Sequence, residues 1–255
     1  MGIIQNLIRK TEKTPIPACM VDVHCHILPS IDDGAEDMEM TVAMANIAVK
    51  DGISAIIATP HFNGRQYDFG MIDTLTDLVN QELINQGIPL ILYPGAEISA
   101  FADQRLTSNA CLNGGSWVLL EFCHAPLPNN AEKLIHYQLD RGNRVIIAHP
   151  ERNPTILHHP EKLHELLEDH VYCQLTAGSL VGEFGLDVQR CAVYLLQQGW
   201  IDFIATDAHS TTRRIPKLSE AFRIAEKILG YDAAVRLVRD NPCEILYENC
   251  VVASG

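Results

Sequence analysis

The chain has 255 residues, 47% hydrophobic and 20% charged, which suits one large globular domain with a true core. A net charge of −13 with no offsetting basic stripe argues against nucleic acid and anionic membranes as partners. No apolar run reaches the roughly 18 residues of a membrane span, MGIIQNLIRKTEK is too short and too charged for a signal peptide, and Asn6 stands where N-myristoylation needs Ser or Thr, so the expected compartment is the cytoplasm.

Residues 1–19 read as an N-terminal extension and 20–255 as a single domain. The first hydrophobic run, VDVHCHILPSIDDG (21–34), ends in two histidines and two aspartates. Next comes EDMEMTVAMANIAVKDG (36–52), with Met40, Ala43, Met44, Ile47 and Ala48 on one helical stripe and Gly52 as the stop. Six further apolar runs follow: ISAIIATPH (53–61), LILYPGAE (90–97), WVLLEF (117–122), RVIIAHP (144–150), VYCQLTAGS (171–179) and IDFIATDAH (201–209). Continuous rather than alternating hydrophobicity predicts parallel strands buried on both faces. Helical segments are expected between them, including 130–142, opened by Asn130, and 160–170, with Pro and Glu in its first turn. The eight cysteines are scattered without a C-x-x-C, and reduced thiols are expected.

Strand and helix alternating seven times predicts an α/β domain, either an open sheet or a barrel. Each run ends in a side chain capable of chemistry: His24 and His26, His61, Glu97, Glu121, His149, Thr176, then Asp207 and His209. Parallel strands put such ends on one side, and only a barrel gathers them around one mouth. With Asp33 these give five imidazoles and four carboxylates, more than one ion needs, and two or three divalent metals are expected. Ions of that number would make the mouth locally positive, able to attract a phosphorylated substrate and to supply a bridging hydroxide as nucleophile. Arg65, Arg152, Arg213 and Arg214 lie close in sequence to His61, His149 and His209 and suit phosphate oxygens.

VDVHCHILPSIDDGAED, IIATPH, PGAEI, LLEF, VIIAHPERN, QLTAGSLVGEFG and IATDAH together resemble the polymerase-and-histidinol-phosphatase (PHP) superfamily. Within it they are most similar to manganese-dependent protein tyrosine phosphatases linked to capsule and exopolysaccharide synthesis. The match runs from about Met20 to Asn241, with TDAH replacing the usual SDAH and with FNGRQYD diverging after His61. The resemblance implies a distorted seven-stranded (β/α) TIM-like barrel. It implies three metal positions: His24, His26, Glu97 and Asp207; Glu97, Glu121 and His149; Asp33, His61 and His209. Mn is the expected ion, with Fe, Zn or Mg as alternatives. Arg152 and an arginine after the final DAH, with Arg213 weighted over Arg214, would bind phosphate. The implied partner is a phosphotyrosine-bearing protein, a tyrosine kinase of polysaccharide synthesis; a homo-oligomer stays open.

Other readings make different predictions. No cysteine is followed by arginine at the C-x₅-R spacing, and neither D-x-D nor a phosphate-binding G-x-x-x-x-G-K-[ST] occurs. Direct attack by hydroxide is therefore expected over a covalent intermediate. A small-molecule phosphatase such as a histidinol phosphatase, and a non-catalytic metal-binding regulatory module, are the alternatives. DDG is also an ordinary turn signal, which gives Asp33 a competing turn reading, and Asp32 reads as a turn or supporting residue. His124 is a further substrate-contact candidate.

Overall fold

The computed structural model describes residues 15–103, 105–107, 109–122 and 125–252. Residues 1–14 of the extension and His124 lie outside the described residues.

All seven predicted runs become strand. Five are single strands: β1 (Met20–Cys25), β6 (Trp117–Glu121), β7 (Arg144–Ala148), β8 (Val171–Thr176) and β9 (Phe203–Ala205). The second run splits into β2 (Ile53–Ala58) and β3 (His61–Phe62), and the third into β4 (Ile91–Pro94) and β5 (Glu97–Ser99). Every pairing is parallel, in two sheets ordered β1-β2-β4 and β3-β5-β6-β7-β8-β9.

The splits have local causes. Pro60 has no N–H to give a ladder, and its carbonyl instead accepts from Glu97 N–H at 3.1 Å. Gly95 passes so close to β2 that a Cβ there would lie 2.7 Å from Ile57 Cγ2. At these two points the chain steps from one sheet into the other. Beyond the strand ends, β1 also meets the segment after β9: Asp207 N–H donates to the His24 carbonyl at 2.7 Å and His26 N–H to the Ala208 carbonyl at 2.9 Å.

Neighbouring residues on one strand enter different cores, as continuous runs require. Leu119, Ile146, Val23 and Ile57 join an inner cluster with Trp117 and Phe203, whereas Leu120, Ile147 and Ile56 join an outer one against the helices. The helices are α1 (Met38–Asp51), α2 (Phe69–Asn85), α3 (Ala131–Leu139), α4 (Pro154–His158), α5 (Glu161–His164), α6 (Ala177–Val181), α7 (Leu186–Gln197), α8 (Ser219–Leu229), α9 (Tyr231–Val235) and α10 (Asn241–Val252). Ile245 and Leu246 of α10 complete the inner cluster, and Glu248 holds that helix to Ser116 through N–H at 2.8 Å and Oγ at 2.6 Å.

Three helix expectations need correction. α1 stops at Gly52 (φ +98°) as expected, but its buried face is Thr41, Met44, Ala45 and Ala48, not the stripe through Met40, Ala43 and Ile47. Thr41 can be buried because its hydroxyl donates to the Ile27 carbonyl at 2.7 Å. The 130–142 segment is helical only over Ala131–Leu139, with no side-chain cap from Asn130. The 160–170 segment yields only the four residues of α5. No helix among the described residues is long and apolar enough to cross a membrane.

Candidate metal centre

The strand ends bring all nine metal-ligand candidates to one place. His24 Nε2 lies 3.2 Å from His26 Nε2 and 3.3 Å from both Glu97 Oε1 and Asp207 Oδ1. His26 Nε2 is 3.4 Å from Glu97 Oε2 and from Asp207 Oδ1. His149 Nε2 approaches Glu97 Oε1 at 2.9 Å and Glu121 Oε1 at 3.6 Å. His61 Nδ1 lies 2.9 Å from Glu97 Oε2 and 4.0 Å from Glu121 Oε2. Asp33 Oδ1 is 3.5 Å from both His61 Nε2 and His209 Nε2.

Four groups have ligand atoms close enough to surround an ion: His26, Asp33, His61 and His209; His24, His26 and Glu97; His24, His149 and Asp207; His61, Glu97 and Glu121. His24, His26, Glu97, His149, Asp207 and His209 are buried, while the Asp33 side chain is 65% exposed and that of His61 43%. The cluster therefore runs from a dry floor to an open rim. Two of its ends are held in backbone conformations that side-chain-bearing residues adopt at a cost, His149 at φ +31° and Asp207 at φ +51°.

The electrostatics call for cations. Burial pushes the Glu97 carboxyl up, but the His24, His149 and His26 imidazoles together outweigh it and hold the group well below the carboxylate range. Asp207 is likewise kept ionised, against its burial, by His24, His26, His149 and Arg214. Glu121 is pushed up to about 7, first by burial and then by the Glu97 charge. Burial lowers His24, His26 and His61, yet the surrounding carboxylates more than reverse it and raise all three. Burial brings His149 down, and burial with the charge on His26 brings His209 down to about 3. The imidazoles and carboxylates thus hold one another in charged forms, and a divalent metal bound here would replace the imidazole protons in that role. Glu97 Oε2, Asp207 Oδ1 and His209 Nε2 are buried without a hydrogen bond of good geometry, although imidazoles or carboxylates stand near each of them. Buried acceptors left in this way fit a metal-binding donor set.

Two arginines reach the cluster. Arg152 and Arg214 both pair with Asp207 Oδ2, and the Arg152 guanidinium lies over the Phe184 ring, 4.7 Å from its centroid. Arg213, favoured over its neighbour by sequence, is exposed, and its hydrogen bonds are backbone ones to Ser210. The reason is the turn itself: Arg214 takes φ +50° and its carbonyl accepts from His209 N–H at 2.9 Å, which brings Arg214 back to Asp207. Arg65 is also exposed, its N–H bonded to Asn63 Oδ1 and its charge felt by Asp103. Neither Arg213 nor Arg65 is brought to the nine residues.

Supporting residues escaped the sequence reading or were only touched by it. Asp32 Oδ2 accepts from His26 Nδ1 at 2.6 Å and from His61 N–H at 3.0 Å. Asp22 accepts from Thr206 N–H at 2.9 Å and from its hydroxyl at 2.5 Å, tying β1 to the end of β9. Glu151, fully buried, accepts from Thr176 N–H at 3.0 Å and Ser179 Oγ at 2.6 Å, so Thr176 and Ser179 serve this contact. Gln174 bonds to His24. Cys25 packs in the outer cluster, and burial pushes its thiol well up, which rules it out as a nucleophile.

Comparison with known proteins places this geometry. The family model "Capsular polysaccharide synthesis, CpsB/CapC" matches residues 20–247. The chain is 37% identical to the tyrosine-protein phosphatase YwqE of Bacillus subtilis, over 90% of this chain and 92% of that protein. It is 32% identical to the putative tyrosine-protein phosphatase CapC of Staphylococcus aureus, over 80% and 82%. The YwqE crystal structure, described with CpsB of Streptococcus pneumoniae as unique metal-dependent tyrosine phosphatases, superposes with a TM-score of 0.83 over 89% of this chain and 94% of that one. An L-hydantoinase from Arthrobacter aurescens, 12% identical and with a TM-score of 0.56 over 89% of this chain and 70% of that one, shares the fold alone.

Proposed function

Because the chain belongs to the CpsB/CapC family of capsular polysaccharide synthesis, we propose that its nine-residue cluster hydrolyses phosphotyrosine in proteins. The protein is a metal-dependent tyrosine-protein phosphatase. The observation that carries this reading is the convergence of five imidazoles and four carboxylates beside two guanidinium groups anchored on Asp207.

In this reading His24, His26, Glu97 and Asp207 hold one ion, Glu97, Glu121 and His149 a second, and Asp33, His61 and His209 a third. Mn is the ion we assign. When bound, such ions polarise phosphate oxygens and lower the pKa of coordinated water to roughly 7. Arg152 and Arg214 take the phosphate oxygens and the charge that grows on them in the transition state. Asp207 aims both arginines at the cluster, and Phe184 supports Arg152 from beneath. The buried floor lowers the local dielectric, so these charges act more strongly there than they would in water. The leaving phenolate, with a pKa of about 10, departs without a strong general acid.

The substrate we assign is a phosphotyrosine-bearing protein, in particular a tyrosine kinase of polysaccharide synthesis, met in the cytoplasm. We further take residues 20–255 as one catalytic domain after the 1–19 extension. The hydrogen bonds from Asp207 and His26 across β1 support a sheet closed into a barrel. Nothing in the cluster or the relatives favours a histidinol phosphatase or a non-catalytic module.

The test is phosphate release from a phosphotyrosine peptide, a phosphoserine peptide and histidinol phosphate, each with chelator or with Mn²⁺. Mn²⁺-dependent turnover preferring phosphotyrosine is expected. Preference for histidinol phosphate, or metal binding without turnover, refutes the assignment.

A further inference from the structure

Gln174 is fully buried on β8, facing the floor of the cluster. Its Oε1 lies 2.9 Å from His24 Nδ1 and 3.4 Å from the backbone N of His149. The His149 N–H can only donate, so the amide atom it meets must be the oxygen. That fixes the amide orientation. An amide oxygen cannot donate, so the proton in the bond to His24 sits on Nδ1. With a proton held on Nδ1, it is Nε2, the nitrogen facing Glu97 and Asp207, that would offer its lone pair to a metal once its own proton is displaced.

We propose that Gln174 is a positioning residue for the metal centre: one buried amide oxygen sets the His24 tautomer and also pins the left-handed turn that carries His149. The inference rests on the reading that the cluster binds divalent metal. Asp32 holds His26 Nδ1 in the same way, but with a carboxylate. At Gln174 a neutral acceptor orients the ring without a further negative charge beneath Glu97 and Asp207. Partners of this kind orient ligating imidazoles, and their loss weakens metal affinity by about 10–100-fold.

The experiment titrates Mn²⁺ alone into chelator-stripped protein by calorimetry, comparing wild type, Gln174→Met and Gln174→Glu. Gln174→Met keeps the length but loses the acceptor, and its affinity is expected to fall about 10–100-fold. Gln174→Glu keeps an acceptor and is expected to recover most of that loss. Folded Gln174→Met with wild-type affinity, or Gln174→Glu as weak as Gln174→Met, overturns the inference while leaving the metal reading intact. Wild type that binds no Mn²⁺ overturns both. Should Gln174→Met not fold, ¹⁵N spectra of wild type loaded with diamagnetic Zn²⁺ decide. His24 protonated on Nδ1 and ligated through Nε2 is expected, and ligation through Nδ1 overturns the inference.

Discussion

Glu151 offers a measurable pH dependence separate from catalysis. The side chain is fully buried, with Oε1 bonded to Thr176 N–H and Ser179 Oγ and with Oε2 lacking a hydrogen-bond partner. Burial pushes its carboxyl up from the usual 4.5 to about 7, against the pull of those bonds and of Arg152. The folded protein therefore prefers the neutral acid. Its contribution is fully present below 4.5 and is lost as pH climbs through about 7, where folding must bury a charge. At about 1.4 kcal/mol per pKa unit, the full penalty above the folded value is on the order of 3 kcal/mol. Glu151→Gln keeps the accepting oxygen and cannot ionise. Its urea unfolding free energy, measured against wild type at equal m-value, should therefore improve by about 2 kcal/mol between about pH 5.5 and about pH 8.5. An offset equal at every pH would show that ionising Glu151 carries no penalty and would refute the reasoning. A gain on acidification instead would show that Glu151 is ionised in the folded state.

Other outcomes follow from the same geometry. Arg214→Ala should lower kcat/KM on a phosphotyrosine peptide by about 100-fold, the scale of a lost transition-state donor, while Arg213→Ala and Arg65→Ala stay within a few-fold; equal losses at Arg213 and Arg214 would contradict the turn at φ +50°. His149→Ala should abolish turnover with circular dichroism unchanged, and full activity would remove it from the site. Chelation should lower the Tm, since ions at about 100 times their Kd add about 2.7 kcal/mol to the folded state; an unchanged Tm would show that the cluster holds none. Asp51 caps α8 from the end of α1, accepting from Leu218 N–H at 2.7 Å and Ser219 N–H at 2.8 Å. Asp51→Ala should thus cost about 1–2 kcal/mol by chemical denaturation, and no change would mean that water replaces the cap.

The sequence was informative where a residue's chemistry and its strand agreed. Packing alone does not account for ligand-type side chains at the ends of six of the seven apolar runs, and together with Asp33 all nine such residues converge. Position within a turn was not readable in that way. Arg213 and Arg214 are neighbours of the same type, and only the backbone conformation at Arg214 decides which one meets Asp207. Gln174 and Glu151 were invisible for a different reason. A polar residue in a strand, like Gln174, or in the turn after one, like Glu151, signals nothing until its partners, His24 and Thr176, are known to lie beside it. The breaks in the second and third runs were hinted at by Pro60 and Gly95, but the close approach of Gly95 to Ile57, on a separate strand, was not readable from the sequence. The short α5 shows that a good first turn does not by itself make a long helix.

The meeting of β1 with the segment after β9 also has a temporal side. His24 and His26 leave the ribosome long before Asp207 and His209, by roughly ten to forty seconds at an elongation rate of about 5–20 residues per second. Through that interval the early imidazoles lack Asp207, one of the two carboxylates that flank them, and the inner core lacks Ile245 and Leu246. A chain cut short before that segment would still carry His24, His26, Asp33, His61, Glu97, Glu121 and His149 but would lack Asp207 and His209, so the proposed first and third ion positions would each be one ligand short.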